Sequence, residues 1–203
     1  MFSRTAYTAD CPDLPLDLVL VIDASFSVED ERFTLLKNFA ARLLENFTLG
    51  LGADVHVSVI SFAFEVSIKY HLDNIVSRPV LQNRIRSIDR PRYYRATRTA
   101  RAIQAATNEF AGYSRNASEV IHAMVLLTDG KTTDSPFLDA AIASADLSGY
   151  SRFAVGILPL PDGGLDELSL IAGDSERVFM ATEEALGRLS SALAECRDFG
   201  YCP

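Results

Sequence analysis

A chain of 203 residues is the size of one α/β domain with little left over, and it can bury a core without needing a metal or disulfide staple. Its 48 % hydrophobic content excludes a disordered chain, and no apolar run approaches the roughly 20 residues that a membrane helix requires. With 19 basic against 27 acidic residues the formal charge is -8, so the molecule as a whole repels nucleic acid and acidic membranes.

Leu16 to Asp23 is an unbroken apolar run ending in an acid, the pattern of a central parallel strand. Ser27-Val28-Glu29-Asp30 then resembles a helix start, and Phe33, Leu36, Ala40, Leu43, Leu44 and Phe47 recur at helical spacing until Gly50 and Gly52 stop the helix. Val55, Val57, Val59 and the segment Ser61 to Phe64 predict a second strand. Glu65 to Leu72 alternates, and its link is too short for a parallel crossover, so it predicts an antiparallel edge. Pro79 to Ile88 predicts a short helix, and Ala100, Ile103, Ala106 and Phe110 mark another. Val120 to Thr128 is a strand running into Asp129-Gly130. Phe137 to Leu147 predicts a helix, Phe153 to Leu158 a strand, Leu165 to Ala172 a short helix and Arg177 to Met180 a final strand. Leu186, Leu189, Leu193 and Cys196 line one face of the last helix. This alternation requires a mostly parallel sheet with helices on both faces. The chain divides into an N-terminal extension (1–14), one domain (15–196) and a tail (197–203).

The three cysteines, Cys11, Cys196 and Cys202, lie only at the two ends, which excludes zinc-ligand spacing. They suggest a bridge closing the domain in an oxidising compartment, with three free thiols as the alternative. Asn46-Phe47-Thr48 and Asn116-Ala117-Ser118 are glycosylation sequons, too common by chance to decide anything. The N-terminus has no charged-then-apolar signal pattern, so a secreted protein would be read here as a mature chain or an excised domain.

In open α/β sheets ligands bind beyond the carboxyl ends of strands, where the topology switches. Two apolar strands here end in acids, Asp23 and Asp129. Asp23, Ser25 and Ser27 alternate, so in an extended turn they can face one point. Thr97-Arg98-Thr99 opens a helix between the two acids in sequence. Carboxylate and hydroxyl oxygens are hard ligands that suit Mg²⁺ or Mn²⁺ rather than zinc. So few formal charges leave the ion with water and at least one replaceable position. Each residue also has a structural alternative: Ser27 and Thr97 as N-caps, Asp129-Gly130 as a turn, and Ser25 bonded to its own loop.

The arrangement resembles the von Willebrand factor A fold, whose metal-ion-dependent adhesion site reads Asp-x-Ser-x-Ser, then a Thr, then the Asp of Thr-Asp-Gly. This sequence matches at Asp23, Ser25, Ser27, Thr97 and Asp129, and the resemblance runs from about Cys11 to Cys196. It is similar to the matrilin, collagen VI and von Willebrand factor members, which also carry a cysteine near each end. Tyr94-Arg95-Ala96 stands where the family usually has glycines. The resemblance implies a doubly wound, Rossmann-like, mostly parallel six-stranded sheet with one antiparallel edge strand. It implies Mg²⁺ (or Mn²⁺) held by the five residues, with Thr97 a direct ligand in the ligand-ready state. It also implies an extracellular location and a Cys11–Cys196 bridge tethering the last helix. The implied partner is an extracellular protein, collagen or another matrix component, whose acidic side chain completes the ion's coordination.

Seven arginines between Arg84 and Arg101 contradict the acidic average. They are Arg84, Arg86, Arg90, Arg92, Arg95, Arg98 and Arg101. Because they bracket Thr97, Arg95 and Arg98 are candidates to attract an acidic partner or a sulfated glycan, a solvated helix face being the alternative. A further possibility is a structural module that self-associates in a matrix without metal.

Enzyme readings fail on chemistry. Gly130-Lys131-Thr132 lacks the first glycine of a phosphate loop, because Val125 stands there. A phosphotransferase of the haloacid dehalogenase kind needs a second Asp two positions after Asp23, where Ser25 stands. His56, His71 and His122 lie in or beside strands and are read as packing residues.

Overall fold

The computed structural model describes residues 14–115 and 120–199. Cys11, Cys202 and the sequon at 116–118 lie outside the described residues. Six strands form one sheet in the order β3-β2-β1-β4-β5-β6. They are β1 (Leu16–Asp23), β2 (Val55–Phe62), β3 (Val66–Tyr70), β4 (Ile121–Thr128), β5 (Ser151–Gly156) and β6 (Val178–Met180). All pairings are parallel except β2 with β3, which is antiparallel at the edge. The fold class expected from the sequence is thus the one observed.

Alternation along β1 explains the layering. Leu16, Leu18, Leu20 and Ile22 face α1 (Asp30–Leu43), α2 (Arg78–Arg86) and α6 (Glu183–Phe199) in one buried cluster. Val19 and Val21 face α3 (Thr99–Tyr113), α4 (Leu138–Leu147) and α5 (Gly164–Ala172) in a second. Because both faces of the strand are covered, β1 is buried along its whole length and reads as a continuous apolar run. Its one internal polar residue, Asp17, is fully buried and held by Arg115, whose Nε lies 2.9 Å and Nη2 2.6 Å from Asp17 Oδ1. Cys196 is buried against the first cluster and disulfide-bonded.

β1 pairs with β2 on one side and β4 on the other. The chain leaves β1 towards β2 and leaves β4 towards β5, so the connections diverge beyond the carboxyl ends of β1 and β4 and leave a crevice there.

Several boundaries differ from the sequence reading. Ser27 does not cap α1, which begins at Asp30 behind Glu29, and Thr97 does not cap α3, which begins at Thr99 behind Arg98. β2 ends at Phe62 rather than Phe64, because Ala63 donates to Glu65 O and turns the chain into β3. β5 spans Ser151–Gly156 instead of beginning at Phe153.

Candidate functional site

The crevice gathers the predicted residues from three loops. Asp23, the last residue of β1, is fully buried. Its Oδ1 accepts the Ser25 N–H at 2.8 Å, and its Oδ2 accepts the Thr128 hydroxyl at 2.6 Å. The second bond ties the end of β1 to the end of β4. Ser25 Oγ and Ser27 Oγ lie 3.1 Å apart. Ser27, Thr97 and Asp129 line one open cleft of about 480 Å³, together with Phe26, Arg32, Arg95, Lys131 and the Pro159-Leu160-Pro161 turn.

Asp129 is 3 % exposed, and its Oδ1 is buried without a hydrogen-bond partner. A buried carboxyl oxygen left so is costly, and with Arg32 Nε it is one of two unpartnered buried polar side-chain atoms among the described residues of the cleft. Burial pushes the Asp23 carboxyl up to about 6, against hydrogen bonds from Ser25 and Thr128 that favour the carboxylate. The adjacent Asp129 charge adds to that rise. Two buried carboxylates beside two serine hydroxyls thus bring hard oxygen donors together at the floor of a cleft whose rim carries Arg32, Arg95 and Lys131. No group of three His, Cys, Asp or Glu side chains gathers to hold an ion among the described residues. A cation here would depend on hydroxyl and water oxygens for much of its shell.

The supporting residues were not legible in the sequence. Arg90 donates from Nη1 to the carbonyls of Ala24 (3.1 Å) and Ser25 (2.6 Å), and from Nη2 to that of Val28. Its Nε pairs with Asp30 at 2.8 Å, and its guanidinium lies over the rings of Phe33 and Tyr94. An arginine that reads as part of a basic surface therefore holds the Asp23–Ser27 loop. Arg32 spans the cleft, donating to Ser27 O at 2.9 Å and Pro159 O at 3.1 Å.

Thr97 is fixed through the loop after β4. Thr133 N donates to Thr97 O at 2.8 Å, and Thr97 N donates to Thr133 Oγ1 at 3.1 Å. Asp134 supplies the cap that α3 lacks in its own sequence, accepting from Ala100 N at 3.1 Å and Arg101 N at 3.3 Å. Glu167 of α5 accepts the Thr132 N–H at 2.7 Å; burial raises its carboxyl and this bond opposes the rise. Gly130 is needed at the strand exit, since its φ is +88° and a Cβ there would sit 3.0 Å from Gly164 O.

The von Willebrand factor type A domain model matches residues 17–192. The chain belongs to the von Willebrand factor type A domain family. Human matrilin-3 is 30 % identical over 192 residues, covering 91 % of this chain and 38 % of its own length. Human integrin alpha-11 is 28 % identical over 180 residues, covering 84 % of this chain and 15 % of its own. The chain therefore spans well under half of the curated relatives it matches. Proximal thread matrix protein 1 from the mussel byssus superposes with a TM-score of 0.70 at 22 % identity, over 90 % of this chain and 46 % of that one. No helix among the described residues is long and apolar enough to cross a membrane.

Proposed function

We propose that this A-type domain is a protein-binding module of an extracellular matrix or cell-surface protein. Its binding face is the cleft beyond β1 and β4. Similarity to matrilin-3, and a fold shared with a byssal matrix protein, support the matrix setting.

In the finer reading the cleft binds its partner through Mg²⁺ or Mn²⁺. The observation that carries it is Asp129 Oδ1, buried and unpartnered beside Asp23, Ser25 and Ser27. Those four residues and Thr97 would hold the ion directly or through water, and the ion would supply an electrophilic position for a partner's carboxylate. Arg32, Arg95 and Lys131 at the cleft give an approaching acid a favourable field. The apolar wall of Phe26 and the Pro159-Leu160-Pro161 turn excludes water around the contact. The disulfide at Cys196, for which we assign Cys11 as partner, would tether the last helix.

A second reading is a matrix module that associates without any ion, and it has the broader support because it asks only for the shared fold. Both Asp23 oxygens are already hydrogen-bonded within the protein, so the loop is ordered without a cation.

Surfaces coated with collagens and other matrix proteins separate the two when binding is measured in Mg²⁺ and in EDTA. Retention that EDTA abolishes supports the ion-dependent contact, and retention unchanged by EDTA supports the ion-free module. Failure to bind any matrix component would contradict both.

A further inference from the structure

The seven arginines of the basic stretch have different fates in the fold. Arg90 is turned inward to the carbonyls of the β1 loop and to Asp30. Arg92, Arg95 and Arg98 instead lie over aromatic rings: Tyr93 at 5.7 Å, Phe26 at 5.8 Å and Phe64 at 3.9 Å from guanidinium carbon to ring centroid. Elsewhere Arg42, Arg115 and Arg152 each hold an acid, respectively Glu183, Asp17 and Asp146. No such ion pair involves Arg92, Arg95 or Arg98 among the described residues. A chain of net charge -8 has acids to spare, yet it keeps these three guanidiniums clear of them.

A guanidinium held beside a ring by cation–π attraction keeps N–H groups free to donate to an oxyanion. Phe64, Arg92, Tyr93, Tyr94 and Arg95 enclose a pocket of about 240 Å³, with Phe64 41 % and Tyr93 58 % exposed. The loop that carries it is anchored by its backbone: Phe26 N donates to Tyr94 O at 2.6 Å, and Arg98 N donates to Ala63 O at 3.0 Å. Flat exposed rings beside unpaired guanidiniums suit a sugar ring that carries sulfate esters. The apolar face of the sugar stacks on the aromatic wall, and the sulfate oxygens take the arginine edges. An acidic peptide would use the arginines and leave the aromatic wall without a role.

The geometry points to a second binding site on this domain, independent of any metal ion, in which the Arg92–Arg95 aromatic pocket takes a sulfated glycan. Because Arg95 also borders the cleft, the test is run without divalent ions and so stands apart from the proposal for that cleft. Heparin oligosaccharides are titrated into the whole chain in EDTA at physiological salt, with folding of every variant checked by circular dichroism. The paired substitution Arg92→Ala and Arg95→Ala is expected to weaken binding roughly tenfold, and more steeply at low salt. Tyr93→Ala is expected to weaken it severalfold while Tyr93→Phe retains it, and Arg86→Ala, outside the pocket, leaves it unchanged. The assignment is overturned if the paired variant binds heparin as the parent does, or if binding appears only with Mg²⁺. It is also overturned if desulfated heparin or polyglutamate binds as tightly as heparin, the latter result identifying an acidic peptide as the ligand.

Discussion

Arg90 holds the β1 loop by three backbone carbonyls and one carboxylate, a fork geometry that lysine cannot reproduce. Arg90→Lys should therefore destabilise the fold by about 2 kcal/mol, the scale of lost charge-assisted hydrogen bonds, and lower the affinity for Mg²⁺. Urea unfolding and metal titration of the same variant check the two effects. Gly130→Ala places a Cβ against Gly164 O at a positive φ and should cost about 1–2 kcal/mol. A thermal midpoint equal to that of the parent would contradict the close approach of the two loops. The acids at the ends of β1 and β4 were legible in the sequence, because each follows an apolar run whose direction and burial the pattern discloses. Arg90 was not legible. Its role depends on packing against a loop about sixty positions away, and in sequence it is indistinguishable from its exposed neighbours.

At the level of elements, α3 begins without a capping side chain of its own, and Asp134 closes its first turn from the loop after β4. Asp134→Ala should cost about 1 kcal/mol and free the Thr97 segment, whose carbonyl and amide are bonded to Thr133 in that same loop. Hydrogen exchange at Ala100 and Arg101 would show the lost cap directly, and unchanged protection there would contradict it. A cap borrowed across the chain explains why Thr97 looked like a helix start and is not, whereas α1 starts behind Glu29 with no side-chain cap. Ser27 O is held by Arg32, its hydroxyl lies beside Ser25 Oγ, and α1 begins three residues later. Sequence spacing gave the order and direction of the strands, since hydrophobic period and link length constrain those locally. It misplaced the ends, which tertiary hydrogen bonds decide.

Across the whole molecule, burial holds His56 and His122 below the usual histidine value of 6.5; the Asp17 charge opposes this at both, and the Arg115 charge adds to it. The fold thus favours their neutral forms, and the stability this gives is present above pH 6.5 and lost as pH falls through 6.5 towards the lowered values. Asp23 acts in the opposite sense. Its carboxyl is raised to about 6 from 3.8, so the cost of burying its charge is relieved as pH falls through 6. Urea unfolding of Asp23→Asn at pH 7.5 and 5.5, in EDTA, removes the Asp23 contribution and sets the two histidines against Glu167, whose carboxyl burial also raises; the histidines should prevail and give lower stability at pH 5.5. Adding His122→Gln should reduce that difference. The metal-free molecule therefore carries at its cleft a buried carboxylate that the fold disfavours and an Asp129 oxygen without a partner, and a divalent cation would satisfy both. Isothermal titration of chelator-stripped protein with Mg²⁺ and Mn²⁺, beside a folded Asp129→Ala variant, tests this most directly. The account predicts saturable binding of one ion per chain, lost in the variant. No saturable binding to the parent protein, or undiminished binding to the variant, would contradict it and leave a matrix module that works without metal.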